Sequence, residues 1–133
     1  MDIDSLTEQV LSAVFEVSNT LGSGFLEKVY ERALLRELRL RDIPAHNQVS
    51  IAVKYKGFQV GEYCADILVA DTLVLELKCV ERLGGEHIAQ CLNYLKACNK
   101  NICLLVNFQH PRVDWKRIVS GDDWKQLATD EHR

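Results

Sequence analysis

Apolar positions along the chain change period twice. Leu6, Val10, Ala13, Val14, Val17 and Leu21 recur at helical spacing behind the capping-box pattern Ser5-Leu6-Thr7-Glu8, which predicts a first helix ending at Gly22. Gly22-Ser23-Gly24 interrupts the pattern. Glu27, Tyr30, Leu34 and Leu38, with Ala33 beside them, then form the stripe of a second helix running to about Arg41. Its flank carries Lys28, Arg32, Arg36 and Arg39 with Glu31 and Glu37 among them, a mixture expected of a solvated helix face rather than of a phosphate-binding patch.

From Asp42 the period falls to two. Val49, Ile51, Val53 and Tyr55 alternate with Ser50, Ala52 and Lys54, and Lys56-Gly57 offers the turn of a hairpin into a second strand over residues 59–69. Ala70-Asp71-Thr72 turns the chain again, into a third strand over 73–79. After the connection Arg82-Leu83-Gly84-Gly85, a third helix is marked by Ile88, Cys91, Leu92, Leu95 and Cys98 and is stopped by Asn99-Lys100-Asn101. The unbroken apolar run over 102–108 predicts a strand covered on both faces, central in a mixed sheet and reached through the preceding helix as a right-handed crossover. Arg117-Ile118-Val119 offers a short edge strand. The order α-α-β-β-β-α-β predicts an α/β sandwich. With no linker, repeat or low-complexity segment, residues 1–133 are expected to form one domain, with a core over about 21–119 and a weakly specified tail over 120–133.

Composition narrows the class. A chain of 133 residues, 47% hydrophobic and 26% charged, can bury a core, which removes disordered and fibrous classes. No apolar run is long enough to span a bilayer and Met1-Asp2-Ile3-Asp4 lacks the features of a signal peptide, so a soluble, cytoplasmic protein is expected. The odd set Cys64, Cys79, Cys91, Cys98 and Cys103 has no C-x-x-C, and several of them fall in apolar runs, which suits reduced core thiols rather than cluster ligands. A net charge of −3 excludes a broadly basic nucleic-acid surface, though not a local basic groove or a metal ion supplying positive charge at a phosphate.

One strand is chemically odd. Leu73-Val74-Leu75-Glu76-Leu77-Lys78-Cys79 is apolar, yet it places a carboxylate and an ammonium two residues apart on one face. A structural ion pair is one account and a functional site the other. If Ala70-Asp71-Thr72 is a three-residue loop, Val69 falls opposite Leu73 and Asp66 opposite Glu76; a one-residue slip would weaken that geometry. Two carboxylates facing each other repel, and a cation between them resolves the conflict. Two carboxylates, a backbone carbonyl and waters suit Mg²⁺ or Mn²⁺. Such an ion polarises a phosphodiester, while a neighbouring lysine positions water or stabilises developing charge. No Cys/His set at zinc spacing and no Gly-rich nucleotide loop competes, and His46, His87, His110 and His132 are scattered.

Asp66, Glu76-Leu77-Lys78, and Gln90 with Tyr94 resemble the D…E-x-K…Q-x-x-x-Y series of the PD-(D/E)XK nuclease superfamily, in particular its RecB-like branch. Gly24-Phe25-Leu26-Glu27-Lys28-Val29-Tyr30 is similar to the G-x-x-E-x-x-Y signature of one small family in it. The resemblance runs from about Leu21 to Val119 and includes Asn107-Phe108; Ala65 stands where a proline often precedes the aspartate. It implies a restriction-endonuclease-like mixed sheet flanked by helices. It also implies a Mg²⁺- or Mn²⁺-dependent nuclease acting on nucleic acid, with DNA the expected polymer and DNA repair or defence the setting. Asp66 and Glu76 would bind the metal, with the Leu77 backbone carbonyl and Glu27 as further ligands. Lys78 would act on the attacking water, and Gln90 and Tyr94 would orient the site or contact the substrate backbone.

Each residue also has a plainer account. Glu27 suits a helix N-terminus, Tyr30 belongs to an apolar stripe and is read as structural, Gln90 and Tyr94 can be flank and packing residues, and His87 a surface or supporting group. The competing function is a non-catalytic or partner-dependent nucleic-acid-processing module that keeps the fold as an assembly surface, completed by a homodimer or another protein. The intact acid-acid-lysine set argues against it.

Overall fold

The computed structural model describes residues 2–121. The elements are α1 (Ile3–Leu21), α2 (Glu27–Leu40), β1 (Ala45–Tyr55), β2 (Phe58–Val69), β3 (Leu73–Lys78), α3 (Gly85–Cys98), β4 (Ile102–Asn107) and β5 (Asp114–Val119). The five strands form one sheet in the order β1-β2-β3-β4-β5, antiparallel except for the β3/β4 pair. That parallel pair needs a crossover, and α3 supplies it. The mixed α/β architecture is the expected one. The edge strand β5 is longer than the three residues anticipated, while most of the tail read from 120 onward lies outside the described residues.

Helices cover both faces of the sheet. Leu73, Leu75, Leu77, Leu104 and Val106 pack with Val10, Val14, Leu34 and Leu38 of α1 and α2. Val74, Cys103, Leu105 and Ile118 pack with Ile88, Cys91 and Leu95 of α3. The period of two along β3 thus sorts its side chains between two cores, and Glu76 and Lys78 share their parity with Val74, on the α3 side. Every residue of β4 is buried, as the continuous apolar run requires of a central strand.

Local chemistry sets the element boundaries. The first helix begins earlier than the capping-box pattern suggests, because the Asp2 carboxylate accepts the Ser5 N–H at 2.8 Å and acts as the N-cap. Gly22 ends α1 with φ +74°, and Gly24 adopts φ +106°, a conformation that a side chain would strain. Tyr30 ties this connection down. Its hydroxyl donates to the Gly22 carbonyl at 2.7 Å and accepts the Phe25 N–H at 3.3 Å, while its buried ring stacks on Phe108 at 4.6 Å. The tyrosine is therefore structural, and what it fixes is the start of α2, where Glu27 stands.

The β1/β2 hairpin is much longer than its contact with the rest of the sheet. Only Ile67, Leu68 and Val69 of β2 pair with β3. Within β1, Gln48 sits at φ +51°, and the hairpin changes face there: Ala45, Ile67 and Val69 join the α1/α2 core, whereas Val49, Ile51 and Ala65 join the α3 core. No helix is long and apolar enough to cross a membrane among the described residues.

Candidate active site

The turn after β2 has the expected length. Val69 pairs with Leu73, Leu68 with Val74 and Ile67 with Leu75, which continues to Asp66 facing Glu76. The ladder stops one pair short of them. In place of a backbone pair, the Leu77 N–H donates to Asp66 Oδ2 at 2.8 Å, and the Asp66 N–H hydrogen bonds to the Glu76 carboxylate. The two acids thus stitch together the strands they diverge from. Each carboxylate is held against the other's strand.

Burial makes this arrangement electrostatically uncomfortable. Glu76 is only 2% exposed, and its Oε1 has no hydrogen-bond partner. Burial first, and then the Asp66 charge, push the Glu76 carboxyl up to about 8, against the opposing pull of Lys78 and of the Asp66 N–H. Burial likewise pushes Asp66 up to about 6, opposed by the Leu77 N–H and by Lys78, with the charges of Glu27 and Glu31 adding to the rise. A buried acceptor with no donor, beside a second carboxylate, is the condition a bound cation relieves.

Lys78 ends β3 beside this pair. Among the described residues no ion pair joins it to Glu76; its Nζ instead donates to Gln90 Oε1 of α3 at 3.3 Å. The simple salt bridge open to the sequence is therefore not what forms. Gln90 sets the direction of the ammonium. Tyr94, one turn further along α3, packs edge-to-face on Tyr63 with centroids 4.6 Å apart. Burial, with the Glu76 and Asp66 charges adding, holds its phenol above the ordinary tyrosine value, so it remains a neutral donor facing the acids.

Backbone direction matters at Leu77. The Lys78 carbonyl accepts the Phe108 N–H at 2.9 Å, on the β4 side, whereas the Leu77 N–H reaches toward β2. A strand residue presents its N–H and C=O to the same side, so the Leu77 carbonyl also faces β2 and the two acids. Beyond Lys78 the chain is clamped by Asn107. This buried side chain donates to the Val80 carbonyl at 2.8 Å and accepts the Val80 and Gln109 N–H groups at 3.1 and 3.2 Å.

Glu27 stands apart, exposed at the first position of α2, and reaches Asp66 and Glu76 through its charge. The Cys79 Sγ, 3.9 Å from the Phe25 carbonyl, links this helix start to the end of β3. His87 caps α3, its Nδ1 accepting the Gly84 N–H at 2.9 Å. As the side chains lie, no three His, Cys, Asp or Glu residues gather closely enough to hold a metal ion among the described residues. The unpartnered Glu76 oxygen, the adjacent Asp66 and the Leu77 carbonyl nonetheless make an all-oxygen set suited to a hard divalent ion.

Glu31 departs from expectation. Read as part of a solvated flank, it is 4% exposed and accepts from Gln48 Nε2 at 2.6 Å, Asn47 Nδ2 at 3.2 Å and Lys28 Nζ at 3.4 Å. It holds the backward-turned Gln48, which stands opposite Asp66 in the β1/β2 register. The signal was available in the spacing, since Glu31 falls four residues after Glu27 and three before Leu34. Asn107 was hidden in an apolar run, where nothing marked its side chain as a clamp.

An α/β sheet of mixed direction, covered on both faces, with two acids and a lysine where β2 and β3 diverge, is the restriction-endonuclease-like architecture. A sequence model of the PD-(D/E)XK nuclease superfamily matches residues 4–118, and the chain belongs to that superfamily. In fold it is similar to SSO0001, with a TM-score of 0.58 at 18% identity over 77% of this chain and 54% of that one. It is also similar to LHK-Exo, an alkaline exonuclease from Laribacter hongkongensis, with a TM-score of 0.50 at 14% identity over 92% and 89% of the two chains. The complex of LHK-Exo with dAMP matches with the same score and identity over 87% and 81%. The chain thus spans about half the length of SSO0001. No curated protein matches it in sequence.

Proposed function

We propose that this chain is a divalent-metal-dependent nuclease that hydrolyses phosphodiester bonds, with DNA as its polymer and Mg²⁺ or Mn²⁺ as its metal. The observation that carries the reading is the Asp66/Glu76 pair with its unpartnered Glu76 oxygen, flanked by a lysine aimed by Gln90. Superfamily membership supports the reaction class. The G-x-x-E-x-x-Y segment supports placement in the small family of that signature, and the Q-x-x-x-Y helix in the RecB-like branch.

Asp66, Glu76 and the Leu77 carbonyl would hold the ion, with Glu27 completing the set from α2. Bound there, the metal supplies Lewis-acid polarisation of the phosphate and a water of lowered pKa. Lys78 donates to the attacking water or to the charge developing on the phosphoryl oxygens. Gln90 keeps the ammonium turned toward the site rather than collapsed onto Glu76. Tyr94, as a neutral donor, hydrogen bonds a phosphate oxygen beside the scissile bond. Tyr30 and Asn107 fix the two chain segments that carry Glu27 and Lys78.

The test is a panel of single-stranded, duplex and branched DNA and of RNA, incubated with Mg²⁺ or Mn²⁺. Cleavage of at least one polymer that a chelator stops is expected. The absence of cleavage across the panel would leave the fold as a binding or assembly module.

A further inference from the structure

The outer part of the β1/β2 hairpin stands off the sheet and bears three of the most exposed large hydrophobic side chains, Tyr55 at 62%, Phe58 at 77% and Val60 at 63% exposure. Tyr55 pairs with Phe58 across the Lys56-Gly57 turn, so the two rings lie on one side of the ribbon. A register shift between Val53 and Lys54 leaves Val60 as the extra residue of a bulge, which re-aims the tip. Residues 53–61 contain Lys54 and Lys56 and no acid, in a chain whose net charge is −3. The Lys56 ammonium lies 5.4 Å from the centre of the Tyr55 ring. Exposed aromatic faces interleaved with lysines match the chemistry of unpaired bases and their phosphates.

The finger is continuous with the site. Along β2, Phe58 to Asp66 is eight steps, which span about 26 Å of extended strand. Tyr63, on the same strand, already touches Tyr94.

We propose that this hairpin tip is a single-strand-binding finger, in which Tyr55 and Phe58 stack on unpaired bases and Lys54 and Lys56 contact phosphates of a strand that extends from the Asp66/Glu76 site. This rests on the nuclease reading and specifies its substrate as nucleic acid with a single-stranded stretch beside the scissile bond. Charge selects this occupant over an apolar protein surface, because the lysines would be desolvated without a partner in a protein interface and are neutralised by phosphates in a nucleic-acid complex.

The experiment is fluorescence anisotropy with the full chain and a labelled thymidine oligonucleotide of about 20 nucleotides, beside a duplex of the same length, under chelation so that no cleavage occurs. Tyr55→Ala/Phe58→Ala is expected to weaken single-strand binding by about 10- to 100-fold, since each lost stack removes a substantial part of the affinity, and to change duplex binding much less. Tyr55→Phe/Phe58→Trp is expected to restore the wild-type value. Both positions are exposed, so melting temperatures serve as the control for folding.

An unchanged single-strand affinity in the alanine variant would overturn the proposal, as would a wild-type protein that does not bind the single strand. A sedimentation profile in which the alanine variant dissociates a wild-type dimer, with affinity unchanged, would assign the finger to self-association instead. Cleavage with added Mg²⁺ separates the two readings: a wild-type protein that cleaves while its finger variant binds equally well refutes the finger alone, and one that binds through the finger yet cleaves nothing refutes the nuclease reading alone.

Discussion

Replacing Glu76 by glutamine should stabilise the metal-free protein at alkaline pH and abolish its response to metal. Glu76 titrates at 4.5 in an unfolded chain and at about 8 in the fold, chiefly through burial. The raised value means that folding favours the protonated form. The stability this carboxyl contributes is therefore complete below about 4.5 and is lost as pH rises through about 8. Across the whole window the linkage amounts to at most ~5 kcal/mol, and relaxation of the site toward solvent reduces it to ~2–3 kcal/mol. Glutamine keeps the shape and an acceptor for the Asp66 N–H but never ionises. For a domain of this size the metal-free Glu76→Gln protein should melt about 6–10 °C above wild type near pH 8.5 and level with it near pH 4.5. Adding Mg²⁺ should raise the wild-type melting temperature and leave the variant unmoved, narrowing or reversing the order. Differential scanning fluorimetry across pH reads both effects. A variant no more stable than wild type at pH 8.5 without metal, or one that gains as much from Mg²⁺, would refute the argument that this carboxylate is held ready for a cation.

Three further outcomes follow from the same geometry. Because protons and metal compete for Asp66 and Glu76, which titrate at about 6 and about 8, calorimetric Mn²⁺ affinity should climb steeply between those values and level off above them; a flat profile would mean these acids are not ligands. Tyr30→Phe removes the hydroxyl that serves the Gly22 carbonyl and the Phe25 N–H, and should cost ~1–3 kcal/mol in urea denaturation, with an unchanged midpoint counting against the clamp. Asn107→Ala strips partners from the Val80 backbone and the Gln109 N–H and should cost ~2–4 kcal/mol, with cleavage falling further than stability alone explains because the segment after Lys78 loosens.

The parts of this molecule that follow from periodicity were open to sequence reasoning. Helix stripes, strand alternation and one unbroken apolar run placed the three helices and the first four strands, whereas β5 showed only as Arg117-Ile118-Val119. The length of the Ala70-Asp71-Thr72 turn fixed the register that brings Asp66 to Glu76. Other features depend on single side chains bonding backbone or on unusual dihedral angles. The ladder ends at Ile67 and Leu75 because carboxylates replace backbone partners. Gln48 takes φ +51° with Glu31 holding its amide, and no pattern of residue types announces such a kink. The charge of Glu31 points to solvent, although its spacing places it beside the buried stripe, where it lies. Strand parity leaves open an ion pair of Lys78 with Glu76, whereas the acceptor that Lys78 takes comes from α3, an element that the strand pattern does not address.

The central claim, that Asp66 and Glu76 hold a metal beside a lysine that acts on the phosphodiester, is tested most directly by metal-dependent cleavage of a labelled DNA strand. The assay compares wild type with Asp66→Asn, Glu76→Gln and Lys78→Ala, each also scored for the metal-induced rise in melting temperature. The account predicts that all three variants fold and fail to cleave, that Lys78→Ala keeps the metal-induced stabilisation, and that the two acid variants lose it. Cleavage that survives in Lys78→Ala, or stabilisation by metal that survives in both acid variants, would contradict it.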